Sequence, residues 1–350
     1  MDPITHVTTG LVISQLLPLP SRWLGALAGV IFALLPDLDY FLVFQDRLAF
    51  IRHHRGFTHS LMAMPLFALL GASVGRMLGG PRWFRPLFYL GLAVLASHLL
   101  LDLATSYGTQ IFNPLSRRKL ALDWIFIIDP YLTGILLLGT VAALLSAGWG
   151  RQVAAVCLTL AGAYLALCGL YHHQALNLAR QVFGPDKSGA VKVAALPQPF
   201  SCRRWQLLAA GPEGIRQTFV QLPYLSFLGL EAGVQKAQAA MVNPGPNLRA
   251  PEATYEPPGH LIIQNWPNTA LHLGEYSPEA RQILEAYLDF ARFPLLARRE
   301  LKGDDQFFSW LDLRFTVPGR SFPFILQLHL DRRGHLQKWQ IGRGGGEGKK

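Results

Sequence analysis

The sequence predicts an all-α polytopic membrane helix bundle of five to six membrane helices, followed by a smaller α+β domain that faces water. Three observations predict it. Hydrophobic residues make up 51% of the chain and charged residues only 15%, against roughly 25% charged in soluble domains. Apolar runs long enough to cross a bilayer recur through the first half, separated by short polar turns. Beyond about residue 176 these runs stop, and Pro, Gln, Glu and Lys enter with alternating strand patterns. The expected division is a membrane domain over 1–175, an α+β domain over 176–345 and a disordered tail over 346–350.

In chain order, residues 4–17 are apolar on most faces but short for a span. They read as a tilted or half-inserted helix beginning at Pro3, a residue suited to a first helical position. The Pro18-Leu19-Pro20 stretch turns the chain. Residues 23–44 are long enough to span, but Pro36 removes a backbone donor beside two aspartates. Residues 45–60 read as a polar, histidine-rich loop. Apolar segments follow at 61–79 and 84–104, divided by a turn bearing Arg76, Arg82 and Arg85. A polar loop over 105–123 holds Asn113-Pro114 and Arg117-Arg118-Lys119. The last spans are 124–147 and 152–171, joined through Gly148-Trp149-Gly150-Arg151.

In the second half, strands are expected at Trp205–Leu208, Phe219–Leu222, Leu261–Gln264, Phe307–Thr316, Phe324–Leu330 and Leu336–Ile341. Ser277-Pro278 reads as a helix cap followed by proline at the first position, opening an amphipathic helix to about Phe293. Residues 240–258, rich in Pro, Gly and Asn, read as a loop.

The net charge of +10 is scattered as single arginines and short clusters. Without a basic stripe interleaved with aromatics, nucleic-acid binding is not expected; basic residues beside apolar helices suit phospholipid headgroups. The three cysteines form neither a disulfide framework nor a zinc-type CxxC pattern. Met1-Asp2-Pro3 carries no basic leader, so insertion is expected to rely on internal segments.

The chemistry sits where polar groups interrupt apolar runs: Pro36-Asp37-Leu38-Asp39, His53-His54-Arg55-Gly56-Phe57-Thr58-His59-Ser60, His98-Leu99-Leu100-Leu101-Asp102 and Ile127-Ile128-Asp129-Pro130. Ionisable groups in such settings are costly unless paired, neutral or metal-bound. If each apolar segment reverses direction, His6, Asp37, Asp39, His54, His59, His98, Asp102, Asp123 and Asp129 all fall on one side of the bilayer. His98 and Asp102 are four residues apart, on one helical face. Imidazole and carboxylate together suit zinc, iron or manganese, and more than four candidates imply several ions or supporting partners. His53 and the pair His172-His173 read as interfacial residues. His260, His272, His329 and His335 are dispersed and carry no expected chemistry.

At these residues the sequence resembles the YdjM-type family of inner-membrane, metal-dependent hydrolases, over roughly residues 1–175. The matching features are His6, Pro36-Asp37-Leu38-Asp39, His54 through Ser60, His98-x-x-x-Asp102, Tyr107-Gly108 with Pro114, and Asp123 through Asp129-Pro130. A fainter similarity extends to the zinc-dependent phospholipase C and single-strand nuclease superfamily. That resemblance implies His6, Asp37, His59, His98 and Asp102 as metal ligands, with one to three ions. It leaves a later ligand pair unplaced unless Asp123 or Asp129 substitutes.

The expectation is a membrane-bound hydrolase of a phosphoester, including a phospholipid, using a divalent metal such as zinc. His6, Asp37, His54, His59, His98 and Asp102 are the metal candidates; Asp39 or Asp129 would accept a proton, and Arg55 would offset phosphate charge. The alternative is a non-enzymatic metal transporter or regulatory scaffold whose C-terminal domain binds a protein. The expected location is the bacterial inner membrane, with the site and C-terminal domain on the extracytoplasmic side.

Overall fold

The computed structural model describes residues 1–44, 47–146, 148–184, 192–224, 238–243, 254–267 and 276–342. The expected tail over 346–350 and His272 lie outside the described residues. The chain forms two compact units, Met1–Gly169 and Leu170–Lys350.

In the first unit, α1 (Pro3–Leu16) opens at proline, with the Asp2 carboxylate accepting from the Thr5 amide at 3.0 Å. Helix α2 (Arg22–Leu34) ends before Pro36, and Pro36–Phe44 winds as a 3-10 helix. Proline cannot supply the amide that an α-helix needs and disfavours helical backbone before it. The two helices cross closely at Gly10 and Gly29. A Cβ on Gly29 would stand 2.5 Å from the Gly10 carbonyl oxygen, so only the absence of a side chain permits this approach.

The stretch expected as a histidine-rich loop contains a helix, α3 (Arg47–His53), and a 3-10 turn at Phe57–His59. Leu48, Phe50 and Ile51 are buried on α3, and burying these apolar residues favours a helix that the surrounding polarity concealed. Helix α4 (Ala63–Gly79) follows, bent by 67° from the preceding helical segment. Pro81–Trp83 leads into α5 (Phe84–Ala104), then come α6 (Pro130–Leu145) and α7 (Gly150–Phe183). Phe32 of α2 fills the space above Gly71 of α4 and Gly91 of α5, joining three helices in one core.

Among the described residues, two helical stretches, Pro81–Ala104 and Gly150–Phe183, are long and apolar enough to cross a membrane, or three if the bent segment over Arg47–Gly79 counts as one span. These are fewer than the expected five to six, the remaining apolar helices being shorter. Helices α2 and α6 have 13 and 16 residues, short of the roughly 20 that a full span needs. The hydropathy of 23–44 and 124–147 counted residues that Pro36 and the approach to Asp129 remove from regular helix.

The polar segment after α5 folds back on the histidine-rich stretch. Thr109 and Leu120 form a β-bridge, Gln110 donates its amide to the Arg55 carbonyl at 2.9 Å, and Leu61 donates to Ile111 at 2.9 Å.

The second unit is β-rich. A five-stranded sheet, ordered β1-β2-β3-β5-β4, comprises β1 (Lys192–Pro197), β2 (Arg204–Gly211), β3 (Gly214–Gln221), β4 (Gln238–Val242) and β5 (His260–Pro267). Its pairs are antiparallel except the parallel β4–β5. Helix α8 (Pro278–Phe290) is capped by Ser277 as expected, burying Ala280, Ile283, Leu284, Tyr287 and Phe290 on one stripe. An antiparallel meander follows: β6 (Pro294–Lys302), β7 (Asp305–Asp312), β8 (Ile325–Leu330) and β9 (Leu336–Gly342). Leu196, Leu208 and Trp266 of the first sheet share a core with Leu295, Leu311 and Ile325 of the second. The Tyr287 hydroxyl donates to the Phe324 carbonyl at 2.9 Å, and burial holds this phenol well above its ordinary pKa.

Strands β1, β4 and β6 were not expected. The expected loop over 240–258 includes the end of β4, and the expected strand Phe307–Thr316 gives way to a 3-10 turn at Leu313–Phe315.

Candidate metal centre

Four side chains from three parts of the first unit converge: Asp37, His59, His98 and Asp102 each offer a ligand atom, and those atoms lie within 4.8 Å of one another. The 3-10 helix after Pro36 supplies Asp37, the turn Phe57–His59 supplies His59, and one face of α5 supplies His98 and Asp102. Their separation along the chain disappears because the break at Pro36 directs the chain across the end of α5.

The protonation pattern is legible from the hydrogen bonds. His98 Nδ1 lies 2.8 Å from the Ala33 carbonyl oxygen, which can only accept, so Nδ1 carries the proton. Nε2 is therefore bare. It is buried without a hydrogen bond, 3.7 Å from Asp37 Oδ1 and 3.6 Å from Asp102 Oδ2. His59 repeats the arrangement. The Thr58 hydroxyl donates to Asp39 Oδ2 at 2.8 Å, while His59 Nδ1 lies 2.9 Å from that hydroxyl and 3.3 Å from Asp39 Oδ2, so Asp39 holds the Nδ1 side of the ring and Nε2 is turned to the other two carboxylates. That Nε2 stands 3.3 Å from both Asp37 Oδ1 and Asp102 Oδ2. Two imidazole Nε2 atoms thus face two carboxylates, and His98 Nε2 and Asp102 Oδ2 both lack a hydrogen bond. A cation at their centre satisfies all four groups. The donor set of two nitrogens and two oxygens fits a divalent ion such as zinc.

A second layer orients these groups. Asp39 accepts from His54 Nδ1 at 2.7 Å and from the Arg55 amide at 3.0 Å, besides its contacts with Thr58 and His59. Arg55 is buried and takes a left-handed backbone, φ 59°. Its guanidinium reaches Asp102 Oδ1 at 2.9 Å and Thr105 Oγ1 at 2.9 Å, and lies over the Tyr107 ring. His6 stacks on His98 with centroids 3.7 Å apart, and its Nε2 is 3.3 Å from Asp102 Oδ1. The Met1 amine contacts the same oxygen. Asp37 is the most open of the four, with 22% of its side chain exposed; the other three are buried.

The structure therefore brings together His6, Asp37, Asp39, His54, Arg55, His59, His98 and Asp102, but sorts them into layers. His54 and His6 stand outside the four-residue group. Asp129 caps α6 through the Tyr131 and Leu132 amides, at 3.0 and 2.9 Å, and its other oxygen accepts from Tyr164 at 2.9 Å. Asp123 is buried in a left-handed turn, φ 57°, outside the four-residue group. Sequence reasoning gave no part to Thr58, Thr105 or the Ala33 carbonyl. Thr58 and Thr105 adjoin or lie near ligand candidates, but a carbonyl has no sequence signature. Among the described C-terminal histidines, His329 pairs with Asp305 at 2.8 Å and His335 with Asp331 at 3.2 Å.

Residues 1–175 match the family described as YdjM inner membrane protein. The chain is similar to a Bacillus subtilis (strain 168) protein, "Uncharacterized protein YfhP", at 30% identity over 38% of this chain and 43% of that protein. It is also similar to "Inner membrane protein YbcI" of Escherichia coli (strain K12), at 41% identity over 31% of this chain and 63% of that protein. In each case the match covers less than two thirds of the relative's length. No solved structure matches the chain.

Proposed function

This chain belongs to the YdjM inner membrane protein family, and from that premise we propose that its first unit is a metal-dependent hydrolase acting on a phosphoester, with a phospholipid as the favoured substrate. The observation that carries the reading is the bare, buried Nε2 of His98 facing Asp37 and Asp102.

A divalent ion held by Asp37, His59, His98 and Asp102 would polarise a phosphoryl oxygen and lower the pKa of water. Asp39 acts through His59 and His54, fixing both rings by their Nδ1 atoms. This follows the carboxylate–imidazole logic by which supporting partners set ligand direction and basicity. The His54–Asp39 pair would be the proton acceptor, the imidazole as base and the carboxylate as its support. Arg55 fixes Asp102 and places a guanidinium beside the reacting centre, where it offsets charge gathering on phosphoryl oxygens. Asp129 has both oxygens committed to capping α6 and to Tyr164, and the proposal gives it no step.

Support for a lipid comes from the rim. Leu38, Tyr40 and Phe41 on the segment carrying Asp37, with Phe57, Leu61 and Met62 around His59, are all exposed. Apolar exposure around a polar centre suits a site at the headgroup boundary of a bilayer. An extracytoplasmic orientation of that face remains part of the proposal.

A second reading, metal transport, draws on the helix broken at Pro36, since transporters place ion sites on discontinuous helices. The deciding experiment is hydrolysis by purified, metal-loaded full-length protein of a phosphodiester and of phospholipid vesicles. Release of product that disappears on chelation supports the hydrolase. Stoichiometric metal without turnover of either substrate overturns it.

A further inference from the structure

At the end of the first unit away from the metal centre, a cleft of about 250 Å³ opens between the C-terminal ends of α1 and α6 and the N-terminal ends of α2 and α7. Its polar lining comes from Ser14, Gln15, Arg22, Ser146 and Arg151. The direction of the helices sets its distance from the metal. His6 lies in the first turn of α1, whereas Ser14 and Gln15 lie in its last, more than about 10 Å away at 1.5 Å per residue.

The two arginines differ in their ties. Arg22 donates to Gln15 Oε1 at 2.7 Å and contacts the Ala143 carbonyl. Arg151 is exposed and has no hydrogen-bond or ion-pair partner among the described residues. Among the described residues no carboxylate pairs with it: residues 7–36, 60–101 and 130–184 contain neither Asp nor Glu, while Arg76, Arg82 and Arg85 join Arg22 and Arg151 at the same end. Trp23 and Trp149, 68% and 69% exposed, each adjoin the cleft in sequence. Exposed tryptophans at helix ends mark the level of lipid headgroups, so the cleft opens where phosphate groups are concentrated.

We propose that this cleft binds a phosphate group, that of an anionic phospholipid at this end of the first unit. Arg151 supplies the uncommitted guanidinium, Arg22 is held in place by Gln15 as the second cation, and the two tryptophans seat the surrounding lipid. A guanidinium fork matches phosphate oxygens in geometry as well as charge. The site is separate from the proposed hydrolase and stands whether or not that reading holds.

The test uses the full-length chain in nanodiscs or detergent. Native mass spectrometry would count bound phosphatidylglycerol for the wild type, Arg151→Gln and Arg85→Gln, with phosphatidylcholine as the neutral comparison. Arg151 has no hydrogen-bond or ion-pair partner among the described residues, and an unchanged thermal unfolding midpoint in detergent would confirm that each variant is intact. The expected result is retained phosphatidylglycerol on the wild type and Arg85→Gln, with affinity about tenfold lower in Arg151→Gln. Competition by millimolar inorganic phosphate would assign the same cleft to the free ion instead of the lipid. Equal losses in Arg151→Gln and Arg85→Gln would show diffuse attraction and overturn the site, as would equal retention by all three proteins.

Discussion

His98 on α5 donates its Nδ1 proton to the carbonyl of Ala33, near the end of α2, across 2.8 Å. Helix α2 thereby decides which nitrogen of a residue 65 positions away is left to face Asp37 and Asp102. His98→Ala removes a ligand and frees the Ala33 carbonyl. Metal content of the purified protein, measured by elemental analysis, should fall from stoichiometric to background. Retention of the ion by this variant would remove His98 from the ligand set.

Asp39 has a different signature because it holds ligands and does not itself join the four-residue group. In Asp39→Asn the side chain keeps its shape but loses the charge that draws the Nδ1 protons of His54 and His59. Metal affinity should weaken by about 10–100-fold without vanishing. A competition titration with a chelator would read this shift, and excess metal should restore occupancy. An unchanged affinity would mean that the hydrogen bonds to His59 do no orienting.

Protons and the ion compete for the same lone pairs. Binding requires bare nitrogens on His59 and His98 and ionised carboxylates on Asp37 and Asp102, so occupancy should fall as pH falls and recover on return to neutrality. Equilibrium dialysis across a pH series checks the direction. Tighter binding in acid would contradict the ligand assignment.

Much of this centre was legible in the residues themselves. The spacing of His98 and Asp102 put them on one helical face, and Pro36 marked the break that turns Asp37 inward. The layers were not legible. His54 and His59 were both metal candidates, with the resemblance favouring His59, and the bond from His54 Nδ1 to Asp39 sets His54 apart from the four-residue group. The lengths of the apolar helices were not legible for a related reason: hydropathy registers apolar residues, whereas a span also needs unbroken helix. In the second unit, Pro294–Lys302 contains the charged run Arg298-Arg299-Glu300, which conceals an edge strand from any test of alternation. Strand β1, Lys192–Pro197, is buried at four successive positions and so shows no alternation either.

The crossing of α1 and α2 predicts a stability effect with a built-in control. Gly29→Ala puts a methyl group against the Gly10 backbone, which cannot yield without separating the helices, at a cost of about 1–3 kcal/mol. Gly162→Ala on α7 adds the same methyl where nothing lies within 4 Å, and its better helix propensity should leave stability equal or higher. Thermal unfolding in detergent should show a lower midpoint for the first variant only. Equal midpoints would mean that the close approach is not maintained in solution.

The second unit rests on a buried ion pair whose loss should be severe. Asp312 accepts from the amides of Arg292, Phe293 and Arg314, at 3.1, 3.1 and 3.0 Å, and from Arg314 Nε at 3.0 Å. Arg314 is itself buried and packs its guanidinium over the Phe290 and Phe315 rings. Asp312→Ala strands the charge and the amides together, for a cost of about 3–5 kcal/mol. Asp312→Asn keeps one acceptor oxygen and should lose less. Because the metal centre is built from residues of the first unit, the ion should remain bound at temperatures where the variant's β-sheet signal has melted. Circular dichroism with parallel metal analysis separates the outcomes, and simultaneous loss of sheet and metal would show that the two units unfold as one.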